Sequence, residues 1–319
     1  MKRRFDSVKY ELKLNWYNKS VFVFFTLMLL IFLLNFWNLI NAFKGNSALY
    51  QHTYEEMKNS GENVEELLQQ DAHIFEEQVE GGGLQQFIDN PLRYDYDNMV
   101  ASFSDIQGRR IIVKLLEKTT LIFLGLLVGI YMIYISTYEN SAKTLKTRLL
   151  LDHPLRVVMS KFCSGLIIIT GVFCAALCLS WLISLVWSAY VIQPVKLNAT
   201  ASKLGVRETL HSVLISYLVV IVFAAIGFAI GLLFRKMSVG MPIFLLLHLL
   251  LPSMGKYDYK NLLMTIFKQG FELDIGSRIT FINGVSFANA ILALSGYILI
   301  ILFISCLCYT LKKRRGICS

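Results

Sequence analysis

The sequence predicts an all-α integral membrane protein with six transmembrane helices and a small helical extracytoplasmic insertion between the first and second spans. Hydrophobic residues make up 55% of the 319 residues and the mean hydropathy is +0.55, which exceeds what a soluble core of this size can bury. The apolar residues form long runs without charge, and a membrane-spanning helix needs about 20 of them. The six runs are residues 21–41, 119–137, 162–192, 209–234, 238–253 and 286–311.

The first segment, residues 1–20, is predicted to form a helix that lies flat on the cytoplasmic surface of the bilayer. Lys9 and Lys13 can reach lipid phosphates from its polar side. A solvated basic leader is the alternative interpretation of the same charges. The apolar side of this helix would carry Phe5, Val8, Leu12 and Trp16.

The last four spans occupy residues 162–311, and the fifth span is the least regular of the six. Gly240, Pro242 and Pro252 interrupt it, so we expect a broken or shallow span, which a bundle tolerates where protein covers the freed backbone groups. Residues 256–284 then follow, too apolar for a free loop and too short and charged to span. They predict a re-entrant or interfacial helix pair on the outer side.

Lysine and arginine residues near the ends of the spans predict the orientation, because cytoplasmic flanks carry an excess of positive charge. Basic residues precede the first span, follow the second and fourth, and form a tail at residues 312–319. Both termini are therefore expected in the cytoplasm, in a multi-pass protein of the cell membrane. The net charge of +9 reflects this bias and gives no reason to propose nucleic acid as a partner.

Residues 42–118 are predicted to form an acidic helical domain outside the cell. From 42 to 116 there are thirteen Asp or Glu residues against six Lys or Arg, a net charge of −7. Such a surface can attract a cationic substrate, although ordinary solvation explains the same carboxylates. Two stripes at helical spacing predict helices, one of Val64, Leu68, Ala72, Phe75 and Val79 and one of Met99, Phe103 and Ile106.

The sequence lacks the motifs that common membrane enzymes require. It has no glycine-rich phosphate loop, no His-Glu-x-x-His pair and no Gly-x-Ser-x-Gly serine, so we expect neither ATP binding by that route nor peptide cleavage. Five of the six cysteines lie in predicted spans, where packing is their expected role. Neither a disulfide framework nor a metal site is predicted.

Ion-coupled transport usually places an ionisable side chain at mid-membrane depth, and the six runs contain no Asp, Glu, Lys or Arg. Only His211 and His248 can ionise there, and only His248 lies deep in a run. A packed, neutral and hydrogen-bonded imidazole is the favoured interpretation of His248, with a proton relay as the alternative. Energy for moving a substrate is therefore expected to come from another protein.

Residues 138–161 join the second and third spans and are termed the elbow. Glu139 is followed by a leucine-rich turn, then by Asp152, which can cap the next helix, and by Pro154, which is tolerated early in a helix. A rigid elbow joined directly to two spans can convert a push from a soluble partner into helix tilt. An ordinary basic loop explains the charges but not this order of carboxylate, leucines and proline.

This order of residues resembles the permease subunits of ATP-binding-cassette exporters in the type 2 membrane family. That family has a glutamate after the second span, then Gly-Thr, a leucine pair, proline, arginine, and a lysine that opens the third span. In this chain Lys143 takes the glycine position, and Arg156 follows the proline by two residues instead of three. The six spans, cytosolic ends and large first outer loop are also similar. The matching residues are Glu139, Thr144, Leu149, Leu150, Pro154, Arg156 and Lys161.

The resemblance implies a permease half that pairs in the lipid bilayer with a second copy or paralogue, and in the cytosol with ATPase subunits. The matching residues would couple to those ATPases, which would bind ATP and Mg²⁺, so this chain is expected to be neither an enzyme nor a cofactor-binding protein. The expected cargo is a hydrophobic or amphipathic molecule such as a peptide or antimicrobial. The second and fifth spans of such dimers usually line the path, where the candidates are Phe123, Tyr131, Tyr134, Phe244 and His248, although core packing explains each aromatic residue as well.

Two other functions fit the same sequence. A non-transporting membrane sensor or scaffold would bind a ligand with the outer domain and signal through the elbow. An ion-coupled secondary transporter would move its substrate without an ATPase.

Overall fold

The computed structural model describes residues 2–79, 83–142, 144, 148, 152–191, 205–251, 253–271 and 284–314. Helices dominate this part of the chain, and five of them are long and apolar enough to cross a membrane: Ser20–Asn59, Arg110–Ser141, Pro154–Trp187, Val206–Phe234 and Phe287–Cys308. The protein is therefore helical, and its helices are consistent with a multi-pass membrane protein. The predicted count of six full spans is not reproduced, because the fifth run forms a shorter apolar helix, Met237–Leu250.

Two short π-helical turns, Thr120–Leu124 and Leu246–Leu250, interrupt otherwise regular helices. In chain order the regular elements are α1 (Lys2–Tyr17), α2 (Ser20–Asn59), α3 (Val64–Gln69), β1 (Ile74–Val79), β2 (Gly83–Ile88), α4 (Pro91–Asp105), α5 (Arg110–Thr119), α6 (Gly125–Ser141), α7 (Pro154–Val191), α8 (Val206–Phe234), α9 (Met237–Leu245), α10 (Tyr259–Gly270) and α11 (Phe287–Arg314).

The chain folds into two compact units. The first unit comprises Met1–Phe32, Leu115–Ser180 and Val206–Ser319. The second unit comprises Leu33–Lys114 and Trp181–Gly205.

The centre of the first unit is the close packing of α6 against α8. Gly125 and Gly129 on α6, and Gly227 and Gly231 on α8, are each spaced four residues apart. A Cβ atom on Gly227 would overlap the backbone of Gly129, and one on Gly125 would lie 2.7 Å from the ring of Phe223. Helices can approach this closely only where small residues meet, as in the Gly-x-x-x-Gly packing of membrane helices.

Helix α10 also belongs to the first unit and lies within the segment predicted to be re-entrant. Asp258 caps its first turn by accepting a hydrogen bond from the Lys260 amide at 3.3 Å. Leu262, Ile266 and Phe267 are buried, which agrees with the prediction that this segment is too apolar for a free loop. The second half of the predicted helix pair, from residue 272 to 283, lies outside the described residues.

The second unit has its own apolar core, formed by α2 and α4. The stripe of Met99, Phe103 and Ile106 is buried against Phe43, and Met99 and Phe103 lie on α4, as their helical spacing predicts. Asn90 accepts a hydrogen bond from the Arg93 amide at 3.1 Å and caps α4. A buried hydrogen bond joins the two helices as well, because Thr53 Oγ1 donates to Asp95 Oδ2 at 2.7 Å.

The predicted helical stripe from Val64 to Val79 is wrong beyond its first turns. Helix α3 ends at Gln69, and Ile74–Val79 instead pairs antiparallel with Gly83–Ile88, so that Phe75 lies opposite Phe87. Asp89 Oδ1 closes the base of this hairpin by accepting from the His73 amide at 2.7 Å. Aromatic and β-branched residues can match helical spacing over a short run, but they also favour strands. Here the following segment, Gly83–Ile88, supplies a partner strand.

Candidate functional site at the elbow

The elbow is built around a buried carboxylate on the last turn of α6. Glu139 is 2% exposed, and its two carboxylate oxygens have different partners. Arg148 Nη1 donates to Oε1, while Lys161 Nζ, at the eighth residue of α7, lies 3.0 Å from Oε2. Lys161 is itself only 3% exposed. The facing ends of α6 and α7 are therefore joined by an ion pair, Glu139 with Lys161, that is almost completely buried.

The same arginine reaches the amino-terminal helix. Arg148 Nη1 also donates to the carboxylate of Glu11, which is 2% exposed on α1. The guanidinium lies 5.0 Å from the centroid of the Tyr10 ring, and its Nη2 is 3.4 Å from the hydroxyl of Ser7. Arg148 thus holds α1, the end of α6 and the elbow together, and we term Glu11, Glu139, Arg148 and Lys161 the ion cluster.

The ion cluster is neutral as a whole, with two carboxylates and two cations. Burial removes water from the carboxylate of Glu11 and raises its pKa, although Lys161 and Arg148 oppose that shift. For Arg148, burial works to lower the pKa, but the nearby carboxylates of Glu11 and Glu139 outweigh it, so the pKa is raised. A cluster of this kind is sensitive to the loss of any one member, because the remaining charge is left buried without its partner.

The backbone of the elbow supports this arrangement. Thr144 turns the chain after α6, since its amide donates to the carbonyl of Glu139 at 3.1 Å. Pro154 is the first residue of α7, where its missing N–H costs nothing. Asp152, predicted to cap this helix, instead accepts from Arg156 Nη1 at 3.2 Å, and the carbonyl of His153 accepts the first helical bond, from the Arg156 amide.

Part of the elbow remains accessible on the first turns of α7, beside the ion cluster. Leu155 is 43% exposed and Met159 is 54% exposed. They border a cavity of ≈ 490 Å³ that is also lined by Val8, His153 and Arg156. Exposed apolar side chains beside an arginine are the composition found at the centres of protein interfaces.

The residues predicted to couple to an ATPase therefore fall into a buried group and an exposed group. Glu139 and Lys161 lie together inside the ion cluster, while Thr144 and Arg156 lie at the surface or partly at it. Leu149 and Leu150 lie outside the described residues. As surface contacts, Thr144 and Arg156 remain predictions. Pro154 is buried at the start of α7, and Glu139 and Lys161 lie inside the ion cluster, so these three present little surface to a partner.

The predicted path residues lie in different surroundings. Tyr131 and Phe244 are buried, and the Tyr131 ring stacks on Phe24 with centroids 4.2 Å apart. Tyr134 lies beside Tyr131, with 6.3 Å between the ring centroids. Phe123 is exposed, on the π-helical turn before α6.

His248 packs as predicted but without the predicted hydrogen bond. Its ring stacks on Phe244 at 5.9 Å and meets the edge of Phe223 at 4.7 Å. The carbonyls of Leu121 and Ile122 lie near its ring nitrogens, yet neither nitrogen has hydrogen-bond geometry to any partner in the described part of the chain.

Sequence reasoning missed two parts of the site. Neither Glu11 nor Arg148 is among the predicted site residues, although Ser7, Glu11 and Asn15 recur every four residues and form the buried side of α1. That polar stripe was the available signal. The paired Gly-x-x-x-Gly spacings on α6 and α8 are a second sequence signal, and they mark the close contact of these two helices.

No metal-binding chemistry is visible in the described residues, which contain no group of three His, Cys, Asp or Glu side chains that could hold an ion. Comparison with protein-family models, curated proteins and solved structures gave no match.

Proposed function

We propose that this chain is the membrane permease subunit of an ATP-driven exporter of the ATP-binding-cassette class, with the elbow as the contact for a separate ATPase. The observation that carries the proposal is the ion cluster, in which Arg148 and Lys161 tie Glu139 and Glu11 together. A force applied to the elbow is then passed to α1, α6 and α7 as one body. The resemblance of the elbow to the type 2 permease motif supports the same function.

The buried and exposed residues of the elbow have separate roles in this proposal. Glu139 and Lys161 position the elbow, and they are too enclosed to contact another protein. Leu155 and Met159 supply the contact, since they are exposed apolar side chains at the start of a helix that continues into a span. A few such anchors dominate the energy of a typical interface.

The chain's other features fit a permease that relies on an external energy source. The predicted apolar runs within the five long helices contain no Asp, Glu, Lys or Arg, and two members of the ion cluster, Glu139 and Lys161, lie near the ends of two of these helices. In the proposed assembly two permease halves pair in the cell membrane, with their termini in the cytoplasm, and the ATPases bind ATP and Mg²⁺. The cargo is an amphipathic or hydrophobic molecule.

The test is whether an ATP-hydrolysing protein co-purifies with this chain, and whether its co-purification depends on the exposed residues of the elbow. The tagged chain is purified from its own cells in a mild detergent, and vanadate-sensitive ATP hydrolysis is measured in the eluate. Replacing Leu155 and Met159 together by alanine should reduce the co-purified activity about tenfold or more, because interface anchors contribute on the order of 2 kcal/mol. Ile167→Ala, at a 52% exposed position further along α7, is the matched control and should retain the activity.

Two results would overturn the proposal. One is a chain that purifies in folded form without vanadate-sensitive ATP hydrolysis. The other is substrate movement into inverted membrane vesicles that continues when ATP hydrolysis is blocked, which would indicate ion coupling. If the double alanine variant and Ile167→Ala behave alike, the ATPase contact lies elsewhere on the chain.

A further inference from the structure

A second cavity of the first unit lies away from the elbow. Its volume is ≈ 410 Å³, within the range of about 300–1,000 Å³ typical of small-molecule sites. Helices α8 and α11 form most of its wall, together with the fifth apolar segment. The wall is apolar and includes Phe223, Phe244, Leu294 and Ile298.

One end of this cavity is polar and aromatic. Tyr257, Asp258 and Tyr297 line it there, and Asp258 is the one carboxylate among the lining residues that the structure describes. Tyr297 donates a hydrogen bond to the carbonyl of Tyr257 at 3.0 Å, which holds the rim together. The cavity is therefore amphipathic, with a hydrocarbon wall and a polar rim.

The carboxylate of Asp258 keeps capacity for a ligand. Its Oδ2 accepts from the Met254 amide at 2.7 Å and its Oδ1 from the Lys260 amide at 3.3 Å. A carboxylate offers about four lone-pair sites, so two backbone donors leave roughly half of them free. The same two bonds hold the carboxylate in place at the rim.

An ammonium group already lies over one of the rim tyrosines. Lys256 Nζ is 5.7 Å from the centroid of the Tyr257 ring, within the range of a cation–π interaction. Tyrosine rings beside a carboxylate form the kind of site that binds ammonium groups. The acidic segment from 42 to 116, with its net charge of −7, also has the sign that attracts cations.

We propose that this cavity binds a cationic amphiphile, a molecule with an apolar tail and an ammonium head. The tail lies among Phe223, Phe244 and Ile298, and the head lies at Asp258 and the adjacent tyrosine rings, in competition with Lys256. The identification of this ligand as the exported cargo rests on the proposed function. Binding itself needs neither ATP nor an ATPase.

The test compares three probes with the same tail and different heads: dodecylamine, dodecanol and dodecanoate. The full chain is placed in phosphatidylcholine nanodiscs, and binding of radiolabelled probe is measured by equilibrium dialysis, with empty nanodiscs subtracted. Dodecylamine should bind about tenfold more tightly than dodecanol, because a cation–π contact with a nearby carboxylate is worth on the order of 1–2 kcal/mol. Dodecanoate should bind most weakly.

Two variants at the rim should act in opposite directions. Asp258→Asn keeps a residue that caps helices well but removes the negative charge, so the affinity for dodecylamine should fall several-fold and that for dodecanol should not change. Lys256→Gln removes the competing ammonium and should raise the affinity for dodecylamine. A shared misfolding defect could not move the two variants in opposite directions.

The tail site is tested separately on α11. Ile298→Trp fills the cavity and should weaken the binding of all three probes. Leu299→Trp, at a neighbouring position that is 69% exposed, should leave the binding of each probe unchanged. The proposal is overturned if dodecanoate binds as tightly as dodecylamine, or if Asp258→Asn still binds dodecylamine more tightly than dodecanol by the same factor. It is also overturned if the two tryptophan variants bind the probes equally well, or if nanodiscs with the chain bind no more probe than empty nanodiscs. Because no ATPase is present, these results are independent of the test of ATP-driven export.

Discussion

Replacing Arg148 by methionine tests whether the ion cluster holds the elbow and α1 together. The change removes the guanidinium that donates to both Glu11 and Glu139 and leaves two nearly unexposed carboxylates. Lys161 remains 3.0 Å from Glu139, so Glu139 keeps one partner. Glu11 then has no cation of the cluster within ion-pair distance, and only the more distant charge of Lys161 still acts on it.

The expected cost follows from the burial of these groups. Removing one partner of a buried ion pair destabilises a protein by about 3–5 kcal/mol, because the remaining charge stays in a medium that solvates it poorly. The free energy of unfolding should fall by that amount in Arg148→Met. Arg156→Met is the matched control, since its pair with Asp152 is partly exposed, and such pairs contribute at most about 1 kcal/mol.

Stability is measured on the purified chain in mixed micelles, with denaturing detergent as the titrant and helical circular dichroism as the signal. Trypsin cleavage at Lys9 and Lys13 reports separately on the release of α1. Both measurements should change strongly in Arg148→Met and little in Arg156→Met. A second substitution then identifies the orphaned group: Glu11→Gln should recover more stability in the Arg148→Met background than Glu139→Gln does.

The reasoning is refuted if Arg148→Met costs no more than Arg156→Met. It is also refuted if Glu11→Gln and Glu139→Gln recover the same amount, because Lys161 would then not distinguish the two carboxylates.

Two further predictions concern packing and pH. Gly227→Ala should destabilise the chain by about 1–3 kcal/mol in the same titration, because its new methyl group would overlap the backbone of Gly129, whereas Gly171→Ala, with open space around it, should be neutral or slightly stabilising. Burial raises the pKa of Glu11, so the folded chain binds that proton more tightly than the unfolded chain, and this group should contribute increasing stability as pH falls from neutral towards 4.5. The difference in unfolding free energy between the wild-type chain and Glu11→Gln should follow that trend, and an opposite slope would contradict the assignment.

The long apolar runs predicted the helices well because hydropathy depends on composition over about 20 residues and not on neighbours. The weak point was the fifth run, where Gly240 and Pro242 correctly indicated an irregular segment. The stripe from Val64 to Val79 failed because spacing over four turns cannot show whether a partner strand is nearby. Only the pairing of Phe75 with Phe87 decides that question.

Charged residues show the same limit at the elbow. The positions of Glu139 and Lys161 at the ends of two spans could be read from the sequence, and they were interpreted as a docking surface. Their burial could not be read, because it depends on Arg148 and on a carboxylate 128 residues away along the chain, at Glu11. A lone charge in a sequence gives no indication of whether its counter-ion or water will surround it.

The sequence by itself determined that this chain is helical and consistent with a multi-pass membrane protein, and which stretches form its apolar helices. Tertiary structure decided which polar residues are buried and which remain accessible to a partner or ligand, at both the elbow and the cavity rim. The physical reason is that hydrophobic burial sums over local composition, whereas an ion pair or a close glycine contact requires two distant segments to meet at a few ångströms.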